Sequence, residues 1–321
     1  MSEQGRASGF SVASVAPSPP RRGEGVEVLS RRECLQLLAH ANVGRVAVSV
    51  GALPTVLPVR FTLVGEDVVF PAVSGSELDV AVRDAVVAFE ADRIDPATGW
   101  SVVVTGIATE LCDEKELQPL RAVPTLAALE EPQCFFRIPG EMISGRRIPR
   151  APLYVAGSIP AASASATEAG SAASDALRPP LDATQHEPIP PDECLRLLAT
   201  EEVGRLAVVL AGQPLVFPLN YALDSDAVVF RTALGTKLEA ITRSPVAFEV
   251  DRWAPSSGTG WSVVVEGIAQ EVTSADAPGL RERLAALPVR PLAAGDRLHF
   301  VRIVPFSITG SRLRPATGTS R

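Results

Sequence analysis

Lysine is nearly absent from this chain. Lys115 and Lys237 are the only two, and every other basic side chain except histidine is an arginine. Against such a background each retained lysine carries weight. Histidine is scarce as well: His40, His186 and His299 have no repeat partners and no carboxylate-paired motif. The four cysteines include no CxxC and make no disulfide framework in a chain of 321 residues. Zinc chemistry and a histidine-based mechanism therefore have little support. No apolar run approaches the ~18–20 residues of a membrane-spanning helix. No basic stretch offsets a net charge of −7, which weighs against a nucleic-acid surface. Residues 1–25 are rich in Ser, Gly and Pro and have no apolar segment ahead of a cleavage site. They predict a disordered tail on a cytoplasmic protein.

What is present is a long self-match. Residues 34–48 read CLQLLAHANVGRVAV and residues 194–208 read CLRLLATEEVGRLAV, an offset of 160. VVFPAVSGSEL (68–78) aligns with VVFRTALGTKL (228–238), and GWSVVVTGIA (99–108) with GWSVVVEGIA (260–269). RIPGEMISGRRI (137–148) aligns with RIVPFSITGSRL (302–313). Two copies, each over a hundred residues long, are a tandem domain duplication rather than a solenoid. The first copy spans 26–150 and the second 186–314, joined by an Ala/Ser/Gly/Pro-rich linker over 151–185 and followed by a polar tail, 315–321. A hydrophobic content of 46% supports a packed core in each.

Each copy opens on a short helix. Ser30 and Glu33 form a capping box in the first, Pro191 and Asp192 start the second, and Gly44 and Gly204 are read as ending these segments. Cys34 and Cys194 sit at equivalent positions in these helices and read as small buried hydrophobes. Runs rich in Val, Phe and Leu follow at hairpin spacing, with a second short helix (SELDVAVRD, TKLEAITRS) and a later variable helical stretch. Asp251–Arg252, repeated as Asp92–Arg93, reads as a structural ion pair. The expected class is mainly β with short helices (α+β): a small antiparallel β-barrel with flanking helices, present twice.

The copies diverge in chemistry at one corner. Arg231 faces Pro71, Thr232 faces Ala72 and Lys237 faces Glu77. In the second copy a strand runs into a turn at Gly235, and Thr236 is a good N-cap for the helix that follows. The open N–H groups and dipole of that helix start favour an anion. Lys237 in the first turn opposes the dipole, and a bound phosphate would account for it; Arg231 adds a planar donor fork. The alternative is a solvated helix start with an exposed lysine. Arg231 and Thr232, as strand neighbours, should point to opposite faces.

PLNYAL, VVFRTALGTKL, VAFEVDRW, GWSVVVEGIA and FVRIVPFSITGSR, in that order, resemble the pyridoxamine 5′-phosphate oxidase-like, FMN-binding split β-barrel family. The likeness is greatest to its small actinobacterial flavoprotein branch, which includes nitroimidazole-reductase-like members. The resemblance implies six-stranded barrels that dimerise with FMN in grooves between them. It implies phosphate ligation by Arg231 and Lys237, with Thr232, Gly235 and Thr236 in the same corner. It also implies that Asn220, Tyr221, Trp261 and Ser262 lie near the flavin. Trp100 and Trp261 are equally readable as core aromatics. Two tandem split β-barrels would form an intramolecular pseudo-dimer, possibly as a monomeric chain. One groove, built on Arg231 and Lys237, would be competent, and one, around Pro71 and Glu77, degenerate. The expected ligands are a flavin and a small-molecule substrate. Three functions stay open: a flavin-dependent oxidoreductase; a non-catalytic binder of flavin, deazaflavin (F420) or haem; and a barrel without cofactor. No set of basic and aromatic residues for a second phosphate is evident, which argues against vitamin B6 oxidation itself.

Overall fold

A computed structural model of the chain describes residues 27–149 and 186–313, apart from 52, 95–97, 124–125, 127–132, 234–237, 239–240, 255–258, 274–275, 277 and 290–298. The tail 1–25, the linker 151–185 and the tail 315–321 lie outside the described residues, as does most of the second copy's second helix.

The first half runs β1 (Glu27–Leu29), α1 (Arg31–Ala39), β2 (Val43–Val50), β3 (Leu53–Arg60), β4 (Thr62–Val64), β5 (Asp67–Val73) and α2 (Glu77–Val82). It continues β6 (Val86–Ile94), β7 (Thr98–Ile107), β8 (Thr109–Leu111), α3 (Glu114–Arg121), β9 (Gln133–Ile138) and β10 (Met142–Pro149). The second half runs β11 (His186–Pro188), α4 (Pro191–Leu198), β12 (Val203–Leu210), β13 (Gln213–Asp224), β14 (Ala227–Thr232), β15 (Pro245–Ala254), β16 (Thr259–Val272), α5 (Leu280–Ala285) and β17 (His299–Leu313).

In the second half the strands close into a ring, β12-β13-β14-β17-β16-β15 and back to β12, with β11 added to β17. The first half makes the same six-membered ring. There the counterparts of the three longest strands are each interrupted, so the ring is recorded as a six-stranded and a four-stranded sheet. Both halves are six-stranded split barrels, and all strand pairs are antiparallel. Inward-facing residues fill each barrel: Val46, Phe70, Phe89 and Phe136 in one, Leu206, Phe230, Phe248 and Ile303 in the other. Cys34 and Cys194 are 1% and 0% exposed in these cores, as a small hydrophobe should be.

The first helix is capped as its sequence demands. Ser30 N–H donates to Glu33 Oε2 at 2.9 Å, and Glu33 N–H donates to Ser30 Oγ at 3.4 Å. The helix ends at Ala39, however, and Gly44 lies inside β2, as Gly204 lies inside β12. The reason for glycine is packing, not termination. A Cβ at Gly44 would come within 2.3 Å of Phe89 Cζ, and one at Gly204 within 2.2 Å of Phe248 Cζ.

The barrels meet as a pseudo-dimer. Small residues from β2, β6, β12 and β15 (Ala47, Ala88, Ala207 and Ala247) join Val56, Val216 and Val264 in a single buried patch. Six charged side chains lie in the seam, none more than 9% exposed. Arg45 forks onto Asp251 of the other barrel (Nε–Oδ2 2.9 Å, Nη2–Oδ1 2.6 Å) and touches its own Asp92 at 3.1 Å. Arg205 forks onto Asp92 (3.0 and 2.6 Å) and touches its own Asp251 at 3.1 Å. Glu90 accepts from Ser101 Oγ at 2.8 Å, and Glu249 from Ser262 Oγ at 2.9 Å. The aspartates are thus structural, but Arg93 and Arg252 are not their partners: Arg93 is exposed and Arg252 pairs with Glu201 at 3.3 Å.

Four carboxylates against two guanidiniums leave two negative charges too many in a dry site. Burial, and then the neighbouring aspartate, push the Glu90 and Glu249 carboxyls up to about 8. Burial also opposes ionisation of Asp92, but Arg205 and Arg45 outweigh it and bring that group down to about 2. The neutral arrangement is two guanidiniums, two aspartates and two protonated glutamic acids.

Two outcomes are expected. A raised carboxyl binds its proton more tightly in the folded state, so its contribution is complete below the unfolded value near 4.5 and is lost as pH rises to about 8. Denaturant unfolding between pH 5 and 8 should show stability falling by up to roughly 1.4 kcal/mol per pH unit for each retained proton. E90Q/E249Q should flatten that slope, and an unchanged slope would refute the assignment. Separately, Gly204→Ala should cost about 1–3 kcal/mol by overpacking against Phe248, read from the shift in the unfolding midpoint.

Candidate functional site

Strand β14 carries the corner that distinguishes the two halves. Its side chains alternate: Val228 and Phe230 enter the barrel core, while Val229 joins Phe300 and Leu284 in a second cluster outside it. Arg231 continues the outer face, and its guanidinium lies 5.2 Å over the Phe300 ring. Thr232 turns the other way and is 4% exposed. The two neighbours face opposite sides, as strand geometry requires. Gly235, Thr236 and Lys237 lie outside the described residues. Leu238 and Ile241, just beyond them, are helical and buried in the core.

Asn220 is brought to the same corner. Tyr221 pairs with Phe230 across β13 and β14, so Asn220 and Arg231 are the next facing positions past the end of that ladder. Asn220 is 8% exposed. Tyr221 is a core residue: its ring lies edge-on to Phe248 at 4.9 Å and its hydroxyl donates to the Leu198 carbonyl at 2.5 Å. Burial pushes that phenol above its usual value. Phe61, its counterpart, packs edge-on to Phe89 in the same manner without a hydroxyl.

Trp261 and Ser262 lie on β16, at the end away from Val272. Arg231 pairs with Phe300, which pairs with Val272 at the far end of β16. Trp261 stands at the other end of β16, eleven positions along that strand from Val272; round the ring the other way, through β12 and β15, its neighbour Ser262 lies three strands from Asn220, about 14 Å. Ser262 is committed to Glu249 in the seam. Across the seam, β13 contacts β6 and β3 contacts β15. The tip of β3 fixes the alignment, because Arg60 lies 4.9 Å over the ring of Trp253 near the end of β15. The pseudo-twofold axis therefore sets Asn220 beside the end of β6, at Ile94, where Arg93 pairs with Trp100.

One pairing was not visible in sequence. His299, opposite Thr232, bonds through Nδ1 to Glu271 Oε1 at 2.6 Å. A histidine–carboxylate pair is thus present at the corner, contrary to the sequence expectation. The partners are 28 residues apart and sit on adjacent strands, a separation that no motif search would join. The seam charges had a readable signal: Arg45/Arg205 and Glu90/Glu249 are charges at equivalent places inside apolar strands.

In the first half the positions of Arg231 and Lys237 carry no cation. Pro71 faces Phe135, Ala72 is 3% exposed and Glu77 opens α2. Among the described residues no group of three or more His, Cys, Asp or Glu could hold a metal ion.

Known proteins match the chain over part of its length. An uncharacterised protein of Mycobacterium tuberculosis, Rv0080, is 42% identical over 115 residues, which is 34% of this chain and 75% of that protein. An FAD-binding protein of Mycobacterium smegmatis is 32% identical, covering 37% of this chain and 96% of its own, with a TM-score of 0.34. A putative pyridoxamine 5′-phosphate oxidase of Corynebacterium glutamicum is 25% identical, covering 40% and 96%, with a TM-score of 0.35. The pyridoxamine 5′-phosphate oxidase family model matches twice, at residues 30–147 and 190–312, and the chain belongs to that family in both halves.

Proposed function

We propose that this chain is a flavoprotein with one flavin groove, filled by FMN, and that it acts as an oxidoreductase on a small organic acceptor. One observation carries the reading. The halves keep the seam residues identical (Arg45/Arg205, Glu90/Glu249, Asp92/Asp251, Ser101/Ser262), yet they differ at Pro71/Arg231, Ala72/Thr232 and Glu77/Lys237. A scaffold that accepts Pro, Ala and Glu does not need Arg, Thr and Lys for folding, so a ligand accounts for them. Family membership and the likeness to an FAD-binding protein support a flavin as that ligand.

The residues present suit the group. Arg231 offers a planar fork at a strand end, braced on Phe300, and Asn220 adds an amide at the next position. Lys237, Gly235 and Thr236 complete the phosphate end on the sequence argument given above. Ile94 and Trp100 of the first barrel form the opposing wall. A bound flavin supplies hydride and single-electron chemistry. The chain's own part is to hold the phosphate, orient the ring between two barrels and limit water around it. A carrier of flavin, deazaflavin or haem without turnover uses the same groove and differs in the outcome of the test.

The purified protein should absorb near 370 and 450 nm, roughly as oxidised flavins do, at one flavin per chain. R231P/K237E, which installs residues the first copy already carries, should abolish the bands. A colourless protein that also ignores added FMN would refute the reading. Faster reoxidation of the photoreduced flavin by nitroaromatics or quinones marks turnover, and indifference to every acceptor marks a carrier. Trp100→Ala should weaken flavin binding by about three- to tenfold, as loss of one aromatic contact does. An unchanged affinity in a titration would overturn the assignment of the first barrel as the opposing wall.

A further inference from the structure

The first barrel keeps the outline of the corner, with an acid and an arginine, Asp79 and Arg83, where the second copy has Glu239 and Arg243. Gly75, the counterpart of Gly235, has φ +82°, and its N–H donates to Asp79 Oδ2 at 2.8 Å. Asp79 N–H donates to Ser76 Oγ at 3.3 Å, and Arg83 pairs with Asp79 Oδ1 at 2.7 Å. Asp79 is 3% exposed. A loop amide that could meet an external anion is thus taken by an internal one, itself neutralised by an internal arginine. Glu77 sets a further negative charge where the second copy has Lys237.

The other end of this groove is filled as well. Arg60 holds the position that Asn220 holds beside Arg231, and Trp253 the position of Ile94. Arg60 crosses the seam to lie over the Trp253 ring at 4.9 Å. The indole in turn rests on Gly260, where a Cβ would stand 2.7 Å from its Cε3. The guanidinium is half-buried, and burial lowers its pKa. The electron-rich face of the indole offsets part of that lost hydration. Arginine and tryptophan occupy far more volume than the asparagine and isoleucine of the other groove.

We propose that the groove on the first barrel is occupied by the chain itself, with the Arg60–Trp253 stack in the place of the flavin ring. The assignment rests on the flavin reading above. It gives the degenerate groove a definite state. It is closed, it latches one barrel to the other, and its filling keeps a half-built second site from competing for cofactor.

The test uses riboflavin, which carries the ring but no phosphate and so does not need a cationic corner. Equilibrium dialysis would count riboflavin bound per chain in the wild type and in R60N/W253I. That variant installs the asparagine and isoleucine found at the equivalent positions, so the scaffold accommodates them. The expected change is from one to two. The wild-type count reports on the flavin reading, and the increment reports on the filled groove. An unchanged count overturns the proposal, whether the wild type binds one or none, and a wild type that already binds two overturns it as well. A rise from none to one upholds the filled groove while refuting the open one. Should the double variant not fold cooperatively, R60N alone is read in the same way, because removing the guanidinium uncovers the Trp253 face. No gain of riboflavin by a folded R60N then overturns the proposal.

Discussion

Everything in this molecule depends on the crossed ion pairs between the barrels. Each of Arg45 and Arg205 gives its two-pronged contact to the aspartate of the other half and a single contact to its own. In a lone barrel these charges would face water; docking removes their hydration, and the forks onto the aspartate of the other half offset that cost. Apolar attraction between alanines and valines is tolerant of sliding; two interlocked forks are not. The seam therefore sets the rotation and register of one barrel on the other. That register decides which strand tip meets which hairpin.

Covalent linkage then changes what the seam permits. In a homodimer the two grooves are identical by symmetry, and every substitution appears in both. In a duplicated chain the grooves are free to differ, provided the seam is kept. The seam residues are the same in both halves, whereas the corner residues at 71, 72 and 77 differ from those at 231, 232 and 237. The arginines illustrate the freedom. The second half carries one on β14 as Arg231, and the first carries one on the neighbouring strand as Arg60. The first braces on Phe300 in its own barrel and the second on Trp253 in the other.

Much of this was legible in the chain because it rests on local pattern. The duplication, the β-rich runs, the capping box at Ser30 and the burial of Cys34 and Cys194 all follow from spacing and composition over short windows. The divergence at Arg231 and Lys237 was visible because the first copy serves as an internal control. What escaped depends on contacts between distant segments. Gly44 reads as a helix end in isolation, and only the Phe89 ring packed on it reveals a close approach. Asp251 beside Arg252 reads as a pair, yet adjacent strand residues point apart, and the true partner is 206 positions away. His299 and Glu271 meet only because β16 and β17 lie side by side.

The two tryptophans carry the more general lesson. Aligning one copy with a family of dimers assigns all motifs of that copy to one site, and so Trp261 is grouped with Arg231. A groove between two barrels draws its walls from both, so in a tandem chain a site must be assembled crosswise. In the proposed reading the corner with Arg231 comes from one repeat, and its opposing wall, with Ile94 and Trp100, from the other, which carries Pro71 at its own corner. In that reading the first barrel supplies half of the groove, and it also supplies the forked partners of Arg205 and Asp251 in the seam.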